Sequence, residues 1–220
     1  MALINQITGK CSNCSFSEPL STYALINVAS DPSLKEKVKN GSLFLWECPR
    51  CGQVNLMVYE TLYHDPQKKL MLWLLPEGRG AEELGDLLGR LEDIASSLPG
   101  YTLRKVGDVG SLIEKVKIHD LDLEDTVIEM CKYITAMELG EKESPEAQNK
   151  FMEATFRFNG LDGPDNDLVF TFPMDGQMQS VHTGFNVYED CAGIISRNPS
   201  VKTGEGFAQI DRTWVKKFFM

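Results

Sequence analysis

Cys11-Ser12-Asn13-Cys14 and Cys48-Pro49-Arg50-Cys51-Gly52 are the two short stretches that decide how this chain folds. Each offers two thiols from one tight turn, and 33 residues separate Cys14 from Cys48. A zinc ion takes four ligands at tetrahedral corners about 2.3 Å away, and a C-x-x-C turn fills two adjacent corners without strain. Two such turns complete the shell, so Cys11, Cys14, Cys48 and Cys51 are the expected ligands of one structural Zn2+. A folded insert closes the long loop between them at slowly growing entropic cost. Pro49 fixes its backbone angle and Gly52 is free to turn left-handed, so the second turn reads as well organised. The first turn carries Ser15 where the second carries glycine, and reads as the less ideal half.

Other uses of these thiols stay open at the level of sequence. C-P-R-C alone is also the pattern of a redox dithiol, although such a site needs no second pair. Iron in a four-thiolate site uses the same ligands as zinc. Two unrelated pairs of thiols are the plainest alternative. Cys131 and Cys191 stand alone on apolar faces and read as small core residues.

Outward from the cysteines, Thr22 to Val28 reads as a strand ended by Ser30-Asp31-Pro32. A helix over 32–39 follows, with Asp31 placed to accept free amide hydrogens, Asn40-Gly41 as its stop, and Leu34 and Val38 to bury. Leu43–Glu47 and Gln53–Glu60 read as strands flanking the second turn. Leu70–Leu75 reads as a third after a Tyr63-His64-Asp65-Pro66 turn. Phe44, Trp46, Tyr59, Tyr63 and Trp73 read as the core of this small sheet. The expected fold class is α+β: a zinc-ribbon-like antiparallel sheet with an inserted short helix, packed with two longer helices, plus a C-terminal α+β segment.

The longer helices come from apolar spacing. Leu84, Leu87, Leu88, Leu91, Ile94 and Leu98 form one stripe over 81–98, and Leu123, Val127, Cys131, Ile134 and Glu138 or Met137 another over 123–139. Between them, 101–106 reads as a strand and 111–118 as a short helix. Asp120, Asp122, Glu124 and Asp125 precede the second long helix, where carboxylates meet the positive end of its dipole. Residues 140–149 are polar and read as a linker. This divides the chain into 1–139, with the ribbon over 1–78 and a helical part over 79–139, and a C-terminal segment over 150–220. In that segment Phe151–Phe158 and Leu168–Phe172 read as a hairpin around a long loop, 185–195 as a helix, and 209–219 as an apolar closing element of undecided type.

Composition narrows the function. The 220 residues carry a formal net charge of −10 and no basic cluster longer than a pair, such as Lys68-Lys69 or Lys216-Lys217. General nucleic-acid binding, which needs a basic face, is disfavoured. The longest apolar run, Leu70 to Leu75, is far short of the roughly 18–20 residues that span a bilayer. Residues 1–10 do not read as a secretory signal, so the expected compartment is the reducing cytoplasm. His64 beside Asp65 reads as a turn histidine before it reads as an acid–base pair. His119 and His182 have no catalytic neighbour in sequence. The loop 162–167 has the composition of a calcium site without its spacing. Phosphate-binding and serine-hydrolase motifs are absent.

With both knuckles in view, the N-terminal part resembles the CpXC family of bacterial and archaeal proteins, named for a C-P-x-C knuckle. The resemblance rests on C-S-N-C, Asp31-Pro32-Ser33-Leu34-Lys35-Glu36-Lys37, Gly41-Ser42-Leu43-Phe44, Cys48-Pro49-Arg50-Cys51-Gly52, and Tyr63-His64-Asp65 followed by Lys68-Lys69-Leu70-Met71. It covers residues 8–78 and extends toward Leu139 through Tyr101-Thr102-Leu103-Arg104. The first knuckle departs from it by lacking proline. The resemblance implies a metal and a fold, with no activity attached.

The function expected from the sequence is therefore a zinc-binding protein that serves as a protein-interaction or structural module, with a protein partner and no recognisable catalytic centre. Two alternatives are a thiol redox enzyme using Cys48 and Cys51, and a zinc-ribbon nucleic-acid binder.

Overall fold

The computed structural model describes residues 3–76, 93–94, 97–141 and 143–219. The chain is α+β and divides into two compact units, Met1–Val116 with Glu205–Ala208, and Lys117–Gly204 with Gln209–Met220. Among the described residues no helix is long and apolar enough to cross a membrane.

The first unit opens with a long hairpin, β1 (Leu3–Lys10) and β2 (Ser17–Asn27), in antiparallel register from Leu3↔Leu25 to Lys10↔Ser17. After β2 comes α1 (Ser33–Lys39), whose two buried residues are Leu34 and Val38, as their four-residue spacing requires. Asp31 Oδ1 accepts the Ser33 amide at 3.1 Å and the Ser33 hydroxyl at 2.6 Å, so the carboxylate opens the helix as expected. Asn40 caps its end, and Gly41 follows at φ +78°. A turn of 3-10 helix (Ser42–Phe44) leads to a second, short hairpin, β3 (Leu45–Glu47) and β4 (Val54–Leu56), paired Leu45↔Leu56 and Glu47↔Val54.

β5 (Thr61–Asp65), β6 (Leu70–Leu74) and β7 (Thr102–Val106) then complete a five-stranded sheet in the order β1-β2-β5-β6-β7. This sheet is mixed rather than small and antiparallel. β2 runs parallel to β5 and β6 parallel to β7, because the chain crosses over between the members of each pair. The single strand expected over Gln53–Glu60 is broken for the same reason: β4 stays with β3, and after residues 57–60 the chain joins the other sheet as β5. His64 and Asp65 consequently lie in a strand, and the turn is Pro66–Lys69. Central β6, Leu-Met-Leu-Trp-Leu, is buried at every residue, the pattern of a strand covered on both faces. β1 was not expected from the sequence, since its Asn, Gln and Thr residues hide a strand that pairs along one edge only.

Against this sheet pack α1 and the first two turns of α2 (Val109–Asp120), opened by Asp108, which accepts the Ser111 amide and hydroxyl at 2.9 and 2.7 Å. The core comprises Ile26, Leu34, Val38, Phe44, Tyr59, Tyr63, Leu70, Leu72, Leu74, Leu112 and Val116 among others. Phe44, Tyr59, Tyr63 and Trp73 are buried as expected, while Trp46 is half-buried. Residues 205–208 return beside β7, where the Lys105 amide donates to the Ala208 carbonyl at 3.0 Å and Phe207 meets the Trp73 ring edge-on. The helix expected over 81–98 lies almost wholly outside the described residues.

The second unit holds α3 (Asp125–Gly140), α4 (Pro145–Glu153), a three-stranded antiparallel sheet of β8 (Arg157–Asp162), β9 (Asp167–Met174) and β10 (Gln177–Thr183), then α5 (Phe185–Arg197) and α6 (Arg212–Phe219). Phe156, Phe158, Leu168, Phe170 and Phe172 from the sheet meet Val127, Ile128, Cys131 and Cys191 from the helices in its core. Two expectations change here. Residues 145–153, read as linker and strand, form α4, with Ser144 accepting the Ala147 amide and Pro145 in the first turn. The boundary between the units, after Val116, falls inside α2, and α4 packs on α3. The loop of the β8–β9 hairpin is also shorter than expected, spanning only 163–166.

Candidate metal centre

Each cysteine pair sits in the turn of a hairpin. Cys11 and Cys14 follow β1, and Cys48 and Cys51 follow β3. The two turns have the same backbone. In the first, the Cys11 amide donates to the Phe16 carbonyl at 2.8 Å and the Ser15 amide to the Cys11 carbonyl at 3.2 Å. In the second, the Cys48 amide donates to the Gln53 carbonyl at 2.9 Å and the Gly52 amide to the Cys48 carbonyl at 2.8 Å. The fifth residue of both turns is left-handed, Ser15 at φ +57° and Gly52 at φ +72°. The first turn is thus less ideal only in chemistry: a serine holds the shape that glycine adopts freely.

The four sulfurs meet. Cys11 Sγ lies 3.6 Å from Cys51 Sγ, Cys14 Sγ lies 3.6 Å from Cys48 Sγ, and all four fall within 4.8 Å of one another. A tetrahedron with 2.3 Å metal–sulfur bonds has edges of about 3.8 Å, close to the two 3.6 Å approaches, so the cluster has the size of a four-thiolate site. Both 3.6 Å approaches run between the two turns. Cys11 and Cys48 are buried, Cys14 is half-buried and Cys51 is exposed.

Local electrostatics also fit a cation. The Cys14 amide hydrogen, helped by that of Asn13, pulls the Cys11 thiol down to about 6 against the opposing effect of burial. Cys14 takes the Phe16 amide hydrogen, yet burial and the three neighbouring sulfurs together drive it up to about 12. Four thiols in this space cannot all ionise by themselves, because each negative charge opposes the next. A bound dication removes that conflict and would be held by all four.

The hairpins are tied together by side chains that sequence reasoning missed. On the inner face of the second hairpin, Trp46 and Asn55 are cross-strand neighbours. Trp46 Nε1 donates to Glu18 Oε1 at 2.8 Å, and a Cβ on Gly9 would meet Leu20 and touch the Trp46 ring. Asn55 is buried, and its Oδ1 accepts both the Ser12 amide and the Ser12 hydroxyl at 2.9 Å. Its Nδ2 donates to the Gln53 carbonyl at 2.8 Å. The available signal was an asparagine, a poor strand former, placed in a strand close behind a knuckle.

The other candidates lie outside this four-sulfur cluster. Asp65 is buried and fully engaged: Lys35 Nζ lies 2.8 Å from its Oδ2, and the Gln67 and Lys68 amides donate to Oδ1. His64 Nε2 lies 3.4 Å from the Tyr101 hydroxyl, and burial lowers its pKa against the opposing charge of Asp65. His182 lies on exposed β10, 3.8 Å from Asp162. Cys131 and Cys191 are both buried in the second core. Burial of Leu123, Val127 and Cys131 fits the stripe expected over 123–139, although Leu123 lies before α3, Ile134 is half-buried, and Met137 and Glu138 are exposed.

A model of the CpXC protein family matches residues 10–132. No curated protein and no solved structure matches the chain. The matched stretch takes in both knuckles, the inserted helix, the strands of the mixed sheet from β2 to β7, and α2, and it spans more than half of the 220 residues. With its C-P-R-C turn set against a second pair of cysteines in one four-sulfur cluster, the chain belongs to the CpXC family.

Proposed function

We propose that this protein is a zinc-binding module of the cytoplasm, in which the metal staples two hairpins together and the outer face of the metal-bearing part docks a protein partner. The observation that carries the reading is the approach of four sulfurs from two matching turns to tetrahedral spacing. Closed four-thiolate shells are characteristic of structural zinc, which leaves no open position for chemistry. Pairing across the turns favours a shared ion over a Cys48–Cys51 redox couple. Reducing surroundings would keep all four thiols available.

A protein partner is supported by the outer face of the second hairpin. Leu45 and Leu56 oppose each other there, Val54 shares the face, and Val58 follows; their exposures are 47%, 58%, 51% and 52%. Aliphatic side chains held open on a short strand pair suit contact with another apolar surface. The net charge of −10 disfavours a nucleic acid in that role.

Metal analysis of natively purified protein, joined to thiol counting, tests the metal half. The expected result is about one zinc per chain and four thiols that react only after chelator is added. Natively purified protein that carries no metal and whose thiols react without chelator would overturn it. For the docking half, Leu45→Glu with Leu56→Glu should leave zinc content and melting temperature unchanged while releasing a partner that co-purifies with the wild type. A partner that stays bound to the doubly charged face would refute that part.

A further inference from the structure

We infer that Asn55 is a positioning residue for the metal centre: it locks the two knuckles at the separation a tetrahedral ion needs. This rests on the metal reading above and adds a residue to it that is not a ligand. Asn55 is 9% exposed and touches both turns at once. Its Oδ1 takes the amide and hydroxyl of Ser12, the residue after Cys11, while its Nδ2 reaches the Gln53 carbonyl, which also receives the Cys48 amide and so closes the second turn.

The chemistry fixes which way the side chain faces. A backbone N–H can only donate, so the oxygen must meet Ser12; a carbonyl can only accept, so the nitrogen must meet Gln53. Only a side chain with an acceptor and a donor on one short stem satisfies both. Alanine provides neither, and aspartate keeps the acceptor but puts a negative oxygen against a carbonyl. The Trp46–Glu18 bond joins the hairpins on strand β2, whereas Asn55 reaches Ser12 inside the first knuckle itself. Residues that orient ligands in this way commonly change metal affinity by 10–100-fold when removed.

The test measures the rate at which zinc is lost to an excess of a chromogenic chelator, together with the absorption spectrum of the cobalt-substituted protein. Four proteins are compared: wild type, Asn55→Ala, Asn55→Asp and Val38→Ala. Val38→Ala is a packing control, since Val38 is fully buried in the same unit without touching the knuckles' hydrogen bonds. Expected is zinc loss about 10–100-fold faster in Asn55→Ala, an intermediate rate in Asn55→Asp, and a cobalt spectrum that keeps four-thiolate character but broadens. Val38→Ala should melt at a lower temperature and release zinc at a near-wild-type rate.

If Asn55→Ala fails to fold, the Asn55→Asp rate decides. Asn55 variants that release zinc no faster than wild type, or no faster than Val38→Ala, overturn the inference and leave the metal reading intact. A wild type that binds neither zinc nor cobalt through its thiols overturns both.

Discussion

Ser15 and Gly52 hold equivalent places in two turns whose hydrogen bonds match, and both are left-handed. A side chain in that conformation costs roughly 1–2 kcal/mol, which glycine avoids. A Cβ at Gly52 would find only Glu47 Oε1, 3.9 Å away, so backbone conformation alone sets the cost there. Gly52→Ala should therefore destabilise the zinc-loaded protein by about 1 kcal/mol in urea unfolding. A neutral effect would mean that the second turn can relax to another shape. His64 links stability to pH. Burial lowers its pKa from 6.5 in the folded state, so the unfolded chain binds the proton more readily, and stability falls as pH drops below 6.5 toward the folded value. His64→Asn should flatten the decline in melting temperature between about pH 7 and about pH 5, and an unchanged slope would remove His64 as its source. At this scale the ligands were legible because thiol pairs carry their own spacing. Asn55 was not, because its partners lie 43 residues away at Ser12 and two away at Gln53, and no local pattern links them.

Among the elements, those with complete local signals were read well. The α1 helix had its carboxylate at Asp31, its Asn40-Gly41 stop and its two apolar residues all in one short stretch, and each is found in that role. Leu34 has no exposed surface, so Leu34→Ala should cost about 3 kcal/mol of unfolding free energy, measured with the metal bound. A loss below about 1 kcal/mol would mean that the sheet and helix close over the gap. Strand pairing was far less legible. The break at residues 57–60 follows from which sheet each half joins, and β2 and β6 find parallel partners only through crossovers that hydrophobic alternation cannot reveal. α4 was missed because polar composition outweighed Ser144-Pro145-Glu146, a sound helix start.

For the molecule as a whole, the α+β fold class and the meeting of the two cysteine pairs could be read from the sequence. Each unit has its own core, and the boundary falls within a continuous helix. The second hairpin has only three residues in each strand, too little pairing to stand by itself. Trp46, Asn55 and the four sulfurs join it to the first hairpin, so an ion held by those sulfurs would add a further link between the two. X-ray absorption at the zinc edge of natively purified protein tests this most directly. The expected first shell is four sulfurs at about 2.3 Å; a shell containing nitrogen or oxygen, or a protein carrying no zinc, would contradict a shared four-thiolate zinc site.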